Sequence, residues 1–486
     1  MSKLIEKSAS HDSTTPTNLI SFMLKHWKPK KEKLPKPLKN LSQIQKRRDA
    51  LSQLFPQDVL LIPTGHLKVR ANDQFYSFRP QSDFYYLTGN MEPDCVLMMI
   101  PEGKGHRSIL LVEPNPGKTD ATFFTDRVKG ELWEGARLGI PESRALYGIA
   151  DTRSLTELEA QVKSAVQIPG QKFPKDFRLM RGISSILEKN LPPETGAQLE
   201  KDRALAVALS EMRLLKDSSE IKELADVVQS TKRGFEDVIL RMKKAHSERE
   251  LEGVFFTRAR MEGNDIGYGS IVASGCNACT LHWKKNNSEL KPGDLLLLDA
   301  GIEGNSLYTA DITRTLPLSG KFSPEQKTVY ELVLSAQKAA LKAVRPGNDF
   351  MEPNRQAMKV LAEGLVTLGI LTCSAEEALK EENQFYKRYT LHNVSHMLGL
   401  DVHDCAQARA ETYKFGRLEP GMVLTIEPGL YFQPDDLTVP AKFRGIGVRI
   451  EDDVVVTTKG SRNLSENIPT EVNEIESWIK QLWKSK

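Results

Sequence analysis

The chain has 486 residues, 40% of them hydrophobic and 27% charged, with a formal net charge of +3. That length exceeds one typical domain, so two or three are expected, and the composition is that of an ordinary globular protein. No apolar run reaches the ~18 residues of a membrane span, and the small net charge argues against a nucleic-acid partner.

Residues 1–40 are polar and rich in Ser, Thr, Pro and Lys, which predicts a flexible basic leader; its run from Lys25 to Pro37 reads as a solvated linker. The segment lacks the pattern of a secretory signal. A mitochondrial presequence would be Arg-rich and acid-poor, whereas this one uses Lys and contains Glu6 and Asp12. Five cysteines (Cys95, Cys276, Cys279, Cys373 and Cys405) make no disulfide framework for so long a chain. A cytoplasmic location is expected, with the mitochondrion left open.

From residue 41 the pattern changes. A polar helix over 42–54 precedes the apolar strand Val59-Leu60-Leu61-Ile62-Pro63, and further strands are predicted at 95–100 and 108–112, with a helix over 156–166. This alternation predicts an α/β domain over 41–205. A second unit over 206–486 opens on Asp217 and Glu220, spaced as a capping box, before Ile221, Leu224 and Val228 at helical period. Helices over 323–344 and 353–368 then alternate with short strands, so the class expected is α+β.

Four acids in this second unit sit in or beside apolar strand-like runs. Asp299 closes Asp294-Leu295-Leu296-Leu297-Leu298-Asp299-Ala300-Gly301, Asp311 lies in Tyr308-Thr309-Ala310-Asp311-Ile312-Thr313-Arg314, Glu427 interrupts Met422-Val423-Leu424-Thr425-Ile426-Glu427-Pro428-Gly429, and Glu451 ends Gly445-Ile446-Gly447-Val448-Arg449-Ile450-Glu451. A buried, unpaired carboxylate costs several kcal/mol, so such groups are expected to face cations. No Lys or Arg run is available for four of them, which points to metal, with His396 lying between them in sequence. Gly301 and Gly304-Asn305 are turn material, so an antiparallel hairpin is predicted to join Asp299 and Asp311. Four carboxylates balance the charge of two divalent ions, and paired ions roughly 3.5–4 Å apart suit a hydrolytic site. Taken singly, each has a plainer reading: Asp299 as a turn residue, Asp311 as a cap, Glu427 as strand-end polarity, Glu451 as a partner of Arg449, and His396 as a structural histidine.

The joint order resembles a known family. Asp299 with Asp311-Ile312-Thr313-Arg314-Thr315, His392-x-x-x-His396-x-x-Gly399-Leu400-x-Val402-His403-Asp404, Ile426-Glu427-Pro428-Gly429-Leu430-Tyr431 and Gly445-Ile446-Gly447-Val448-Arg449-Ile450-Glu451 are similar to the signature of proline-specific metallopeptidases with the pita-bread fold, and most of all to aminopeptidase P. Arg79-Pro80-Gln81-Ser82-Asp83-Phe84-Tyr85-Tyr86 extends the likeness into a creatinase-like N-terminal domain.

The resemblance implies a metal-dependent aminopeptidase that cleaves between an N-terminal residue and a following proline by a hydroxide bridging two metals. It implies that Asp299, Asp311, His396, Glu427 and Glu451 hold two divalent ions, most typically Mn2+, with Co2+ or Zn2+ possible alternatives in the family. Glu427 would shuttle protons, while His392 and His403 stabilise the oxyanion and hold substrate. His282 would line the substrate pocket, and Arg449 and Tyr431 would orient the carboxylates. Trp133 is a weaker match to an aromatic that closes the cleft. Peptides with proline in second position are the implied partners, and a homodimer or homotetramer the implied assembly. A prolidase, restricted to Xaa-Pro dipeptides, shares the same ligands; a non-catalytic pita-bread binding protein would have lost them. Cys276-x-x-Cys279 lacks the second half of a zinc site, and is read as a pair of local substitutions beside His282 that leave the enzyme sensitive to thiol reagents.

Overall fold

The computed structural model describes residues 15–28, 34–166, 177–189, 191 and 195–484. Of the leader, residues 1–14 and 29–33 lie outside them. Its described part contains a helix, Thr17–Met23, followed by Trp27, whose ring stacks against Phe124 with centroids 6.2 Å apart and lies under the Lys118 ammonium. The chain divides into two compact units after Ala206.

The first unit is built on a five-stranded mixed sheet. Its strands are β1 (Val59–Pro63), β2 (Val96–Glu102), β3 (Gly105–Val112), β4 (Asp151–Ser154) and β5 (Phe177–Leu179), in the spatial order β4-β3-β2-β1-β5. β1, β2 and β3 pair antiparallel, while the outer strands β4 and β5 run parallel to their neighbours. Val59 and Leu61 alternate toward one face with Val96, Met98, Ile109 and Leu111, and Leu158 and Val162 of the helix Leu158–Val166 cover it.

The second unit starts as its sequence dictates. The Asp217 side chain accepts from the backbone N–H groups of Ser219 and Glu220, and Glu220 returns a bond to Asp217, opening the helix Ser218–Met242. Ser323 caps Pro324–Ala343 in the same way, with proline fixing the first turn. Val329, Val333 and Ala336 of that helix bury against Met358, Leu361 and Leu365 of Glu352–Thr367, beneath the strands that carry the acids.

Those strands are short. β6 (Ile271–Ser274), β7 (Leu295–Ala300) and β8 (Ile312–Pro317) form one sheet with β7 central. β9 (Val423–Ile426) pairs with β12 (Asp452–Val456), and β10 (Gly429–Tyr431) with β11 (Gly447–Arg449). The expected hairpin is present, with Asp299 opposite Thr313 and Ala300 opposite Ile312. Gly301 follows the pair because any Cβ there would overlap the Ala310 carbonyl. Asp299 lies within β7, while the other three acids lie just outside strands: Asp311 just precedes β8, Glu427 just follows β9, and Glu451 falls between β11 and β12. Arg314, fully buried, ties these ends together, donating to Asp452 Oδ1 at 2.7 Å and to the carbonyls of Glu451, Ile468 and Pro469. Among the described residues, no helix is long and apolar enough to cross a membrane.

Candidate metal centre and active site

Strand ends converge on a cavity of about 490 Å³ whose lining includes Asp299, Asp311, His396, Glu427 and Glu451. All five side chains expected from the sequence therefore meet at one place. Asp311, His396 and Glu451 each offer a donor atom, and these atoms lie within 4.8 Å of one another. His396 Nε2 is 3.2 Å from Asp311 and 3.5 Å from Glu427. Backbone pairing fixes this geometry: residues 394–397 run along β9, with Thr425 N–H donating to His396 O and Glu427 N–H to Val394 O. On the other side Glu451 N–H donates to Thr313 O, and Thr313 Oγ1 donates to Glu451 Oε2 at 2.6 Å.

Asp299 stands apart from the tight trio. Its carboxylate takes the buried Arg449 guanidinium on one oxygen and the Tyr268 hydroxyl on the other, at 2.7 Å. The same hydroxyl bonds Asp311, so Tyr268 joins the two hairpin acids. Arg449 also donates from Nη1 to Tyr431 Oη at 2.9 Å, and Tyr431 Oη lies 2.8 Å from His392 Nε2. With His392 Nδ1 donating to Asn393 O at 2.9 Å, Nε2 is left to accept from Tyr431. Arg449 thus bonds a carboxylate, while Tyr431 bonds a histidine rather than a carboxylate.

Electrostatics set the chemistry available. Burial lifts the Glu427 carboxyl to about 7 against the pull of His396 and Arg449. Burial and the neighbouring acids push Glu451 well above the carboxylate range, and burial raises Asp299 despite Arg449. Burial alone would lower His396, but Asp311 and Glu427 outweigh it and hold the imidazole up at about 9. His392 is pushed down to about 4 by burial and Arg449, so it is neutral at pH 7. So many acids around one histidine and one arginine leave an excess of negative charge that divalent cations would relieve. Asp453, fully buried beside this group, adds an Oδ1 with no hydrogen-bond partner among the described residues while its Oδ2 accepts from Asp311 N–H. Oxygen-rich donors with one imidazole fit hard to borderline divalent ions and do not fit a thiolate zinc site.

His282 and His403 are exposed on the cavity rim, and the His403 ring meets His396 edge-on at 4.5 Å. Cys279 is buried, with its thiol donating to Phe432 O at 3.2 Å, and Cys276 is exposed. Trp133 is half exposed and donates to Phe124 O. Sequence reasoning missed Tyr268, Thr313, Lys284, Asp453 and Ser395, whose buried Oγ lines the cavity without a partner among the described residues.

Comparison with known proteins decides the family. Residues 222–458 match the model of metallopeptidase family M24, and residues 44–172 match the aminopeptidase P N-terminal domain. Xaa-Pro aminopeptidase 1 of Streptomyces coelicolor is 49% identical over 448 residues, covering 92% of this chain and 88% of its own. The chain belongs to the Xaa-Pro aminopeptidases of family M24. The Escherichia coli Xaa-Pro aminopeptidase is 33% identical over 444 residues, covering 90% of this chain and 97% of its own. Among solved structures, Escherichia coli aminopeptidase P with the inhibitor Pro-Leu superposes at TM-score 0.79 with 32% identity, covering 92% of this chain and 99% of its own. Pseudomonas aeruginosa aminopeptidase PepP does so at 0.80 with 34% identity and the same coverage. The α+β class, the creatinase-like first domain and the pita-bread second domain are those of aminopeptidase P. The chain is accordingly a metal-dependent Xaa-Pro aminopeptidase, and family M24 implies divalent metal ions.

Proposed function

We propose that Asp299, Asp311, His396, Glu427 and Glu451 hold two divalent ions, most typically Mn2+, and that the enzyme removes the N-terminal residue from peptides with proline in second position. The observation that carries this is the meeting of all five side chains in one cavity with the Glu427 carboxyl lifted to about 7. When bound, the ions would supply Lewis-acid polarisation and a lowered pKa for water.

The remaining steps belong to the chain. Glu427, poised near neutral pH, accepts a proton from the attacking water and returns it to the proline nitrogen, which has no N–H of its own and must gain one to leave. His282 and His403, free at the rim, offer N–H donors to the carbonyl oxygen and the proline side. His392, neutral and fixed by Tyr431, borders Glu427 with Nδ1 3.5 Å from that carboxyl. Arg449 and Tyr268 fix Asp299 beside Asp311, with the peptide's ammonium group drawn to the Asp299 side. A homo-oligomer located in the cytoplasm completes the reading.

A cleavage panel with and without added Mn2+ tests this. Ala-Pro-Ala and longer Xaa-Pro peptides should be hydrolysed and gain rate with the metal, and Ala-Ala-Ala should not be cut. Cleavage of the dipeptide Ala-Pro alone would point instead to prolidase.

A further inference from the structure

We propose that Lys284 is a specificity-determining residue that recognises a carboxylate on the substrate downstream of the scissile bond. The assignment deepens the peptidase reading and rests on it. Two strong cations line the cavity, Arg449 and Lys284. Arg449 is buried and committed to Asp299 and Tyr431. The Lys284 side chain is exposed, and among the described residues its ammonium has no ion pair and no hydrogen bond. A free ammonium on the wall of a substrate cavity is a point charge awaiting a mobile anion.

Its position is set by the chain around it. Lys284 N–H donates to His282 O, closing a tight turn two residues past His282. The methylenes then run over Gly269, where the missing side chain leaves room: a Cβ on that glycine would stand 3.5 Å from Lys284 Cδ. Lys284 lines the same cavity as His282 and His403. The cavity lining thus joins His282, Lys284 and His403 to the acids Asp299, Asp311, Glu427 and Glu451.

A peptide has matching polarity. Its α-ammonium is drawn to the acids, so the chain past proline leaves past His282 and Lys284. A carboxylate there has two sources: the C-terminus of a short peptide, or an acidic side chain just after the proline of a longer one. Either would pair with Lys284 in partial exposure to water, an interaction of modest, salt-sensitive strength.

The test compares Ala-Pro-Ala with its C-terminal amide, and a C-terminally amidated hexapeptide carrying Glu after proline with the same peptide carrying Gln. The wild-type enzyme should show a KM about fivefold lower for the anionic member of at least one pair, and 0.5 M salt should narrow that gap. In Lys284→Gln the gap should close, with the ratio of kcat between the two members kept, and Lys284→Arg should restore it. Which pair shows the effect identifies the source of the carboxylate. A gap that survives Lys284→Gln, or no gap in either wild-type pair, overturns the role of Lys284 alone. Wild-type enzyme that cuts none of these peptides overturns the peptidase reading and this assignment with it.

Discussion

Glu427→Gln should lower kcat on an Xaa-Pro tripeptide by about 10³-fold, and Glu427→Ala should abolish turnover. The isosteric amide keeps an oxygen toward the cavity but cannot carry a proton. Burial, opposed by His396 and Arg449, lifts this carboxyl to about 7, where it exchanges protons readily at neutral pH. His392 and Thr425 approach it from two sides, Thr425 Oγ1 at 3.4 Å, so the carboxyl is aimed and not free to swing. Steady-state kinetics of both variants check this, with loss of fold excluded as a cause by parallel thermal melts. A Glu427→Gln enzyme within tenfold of wild type would contradict the proton-carrying role.

Arg314→Met should cost about 3–5 kcal/mol, seen as a fall of roughly 8 °C or more in the apparent melting temperature. Arg314 is wholly buried, and its guanidinium satisfies Asp452 and the carbonyls of Thr313, Glu451, Ile468 and Pro469. Removing it leaves Asp452, among the described residues, with the side-chain amides of Gln337 and Asn463, and frees the backbone that aims Glu451. Because most of the cost is a stranded buried charge, Arg314→Met combined with Asp452→Leu should recover part of the loss. Differential scanning calorimetry of the two variants decides it; equal melting temperatures for Arg314→Met and wild type would show that the guanidinium is dispensable.

The acids that meet in the cavity are legible in the sequence because acids beside apolar runs have no other cheap place to be. Asp299 and Asp311 could also be paired in advance, since the glycines between them demand a turn. Their register was not legible: the hairpin sets Asp299 opposite Thr313, and it is Tyr268 that joins the two carboxylates. Tyr268 lies between two glycines with no periodic pattern, so nothing local marks it. Thr313 and Ser395 read as ordinary strand and loop polarity, and only their tertiary partners, or in Ser395 the lack of one, reveal a use. Asp453 was hidden behind Glu451 and Asp452, because adjacent acids in sequence do not disclose which of them point inward. The helix Thr17–Met23 does not stand out from the polar leader around it, since seven residues are too few for a period to show.

Metal content is the most direct check on the central claim. Full-length protein, loaded with Mn2+, dialysed and measured by plasma mass spectrometry, should hold about two ions per chain, and Asp311→Asn and Glu451→Gln should each hold fewer while remaining folded. Wild-type protein that retains less than one ion per chain, yet cleaves Xaa-Pro peptides at full rate in the presence of a chelator, would contradict it.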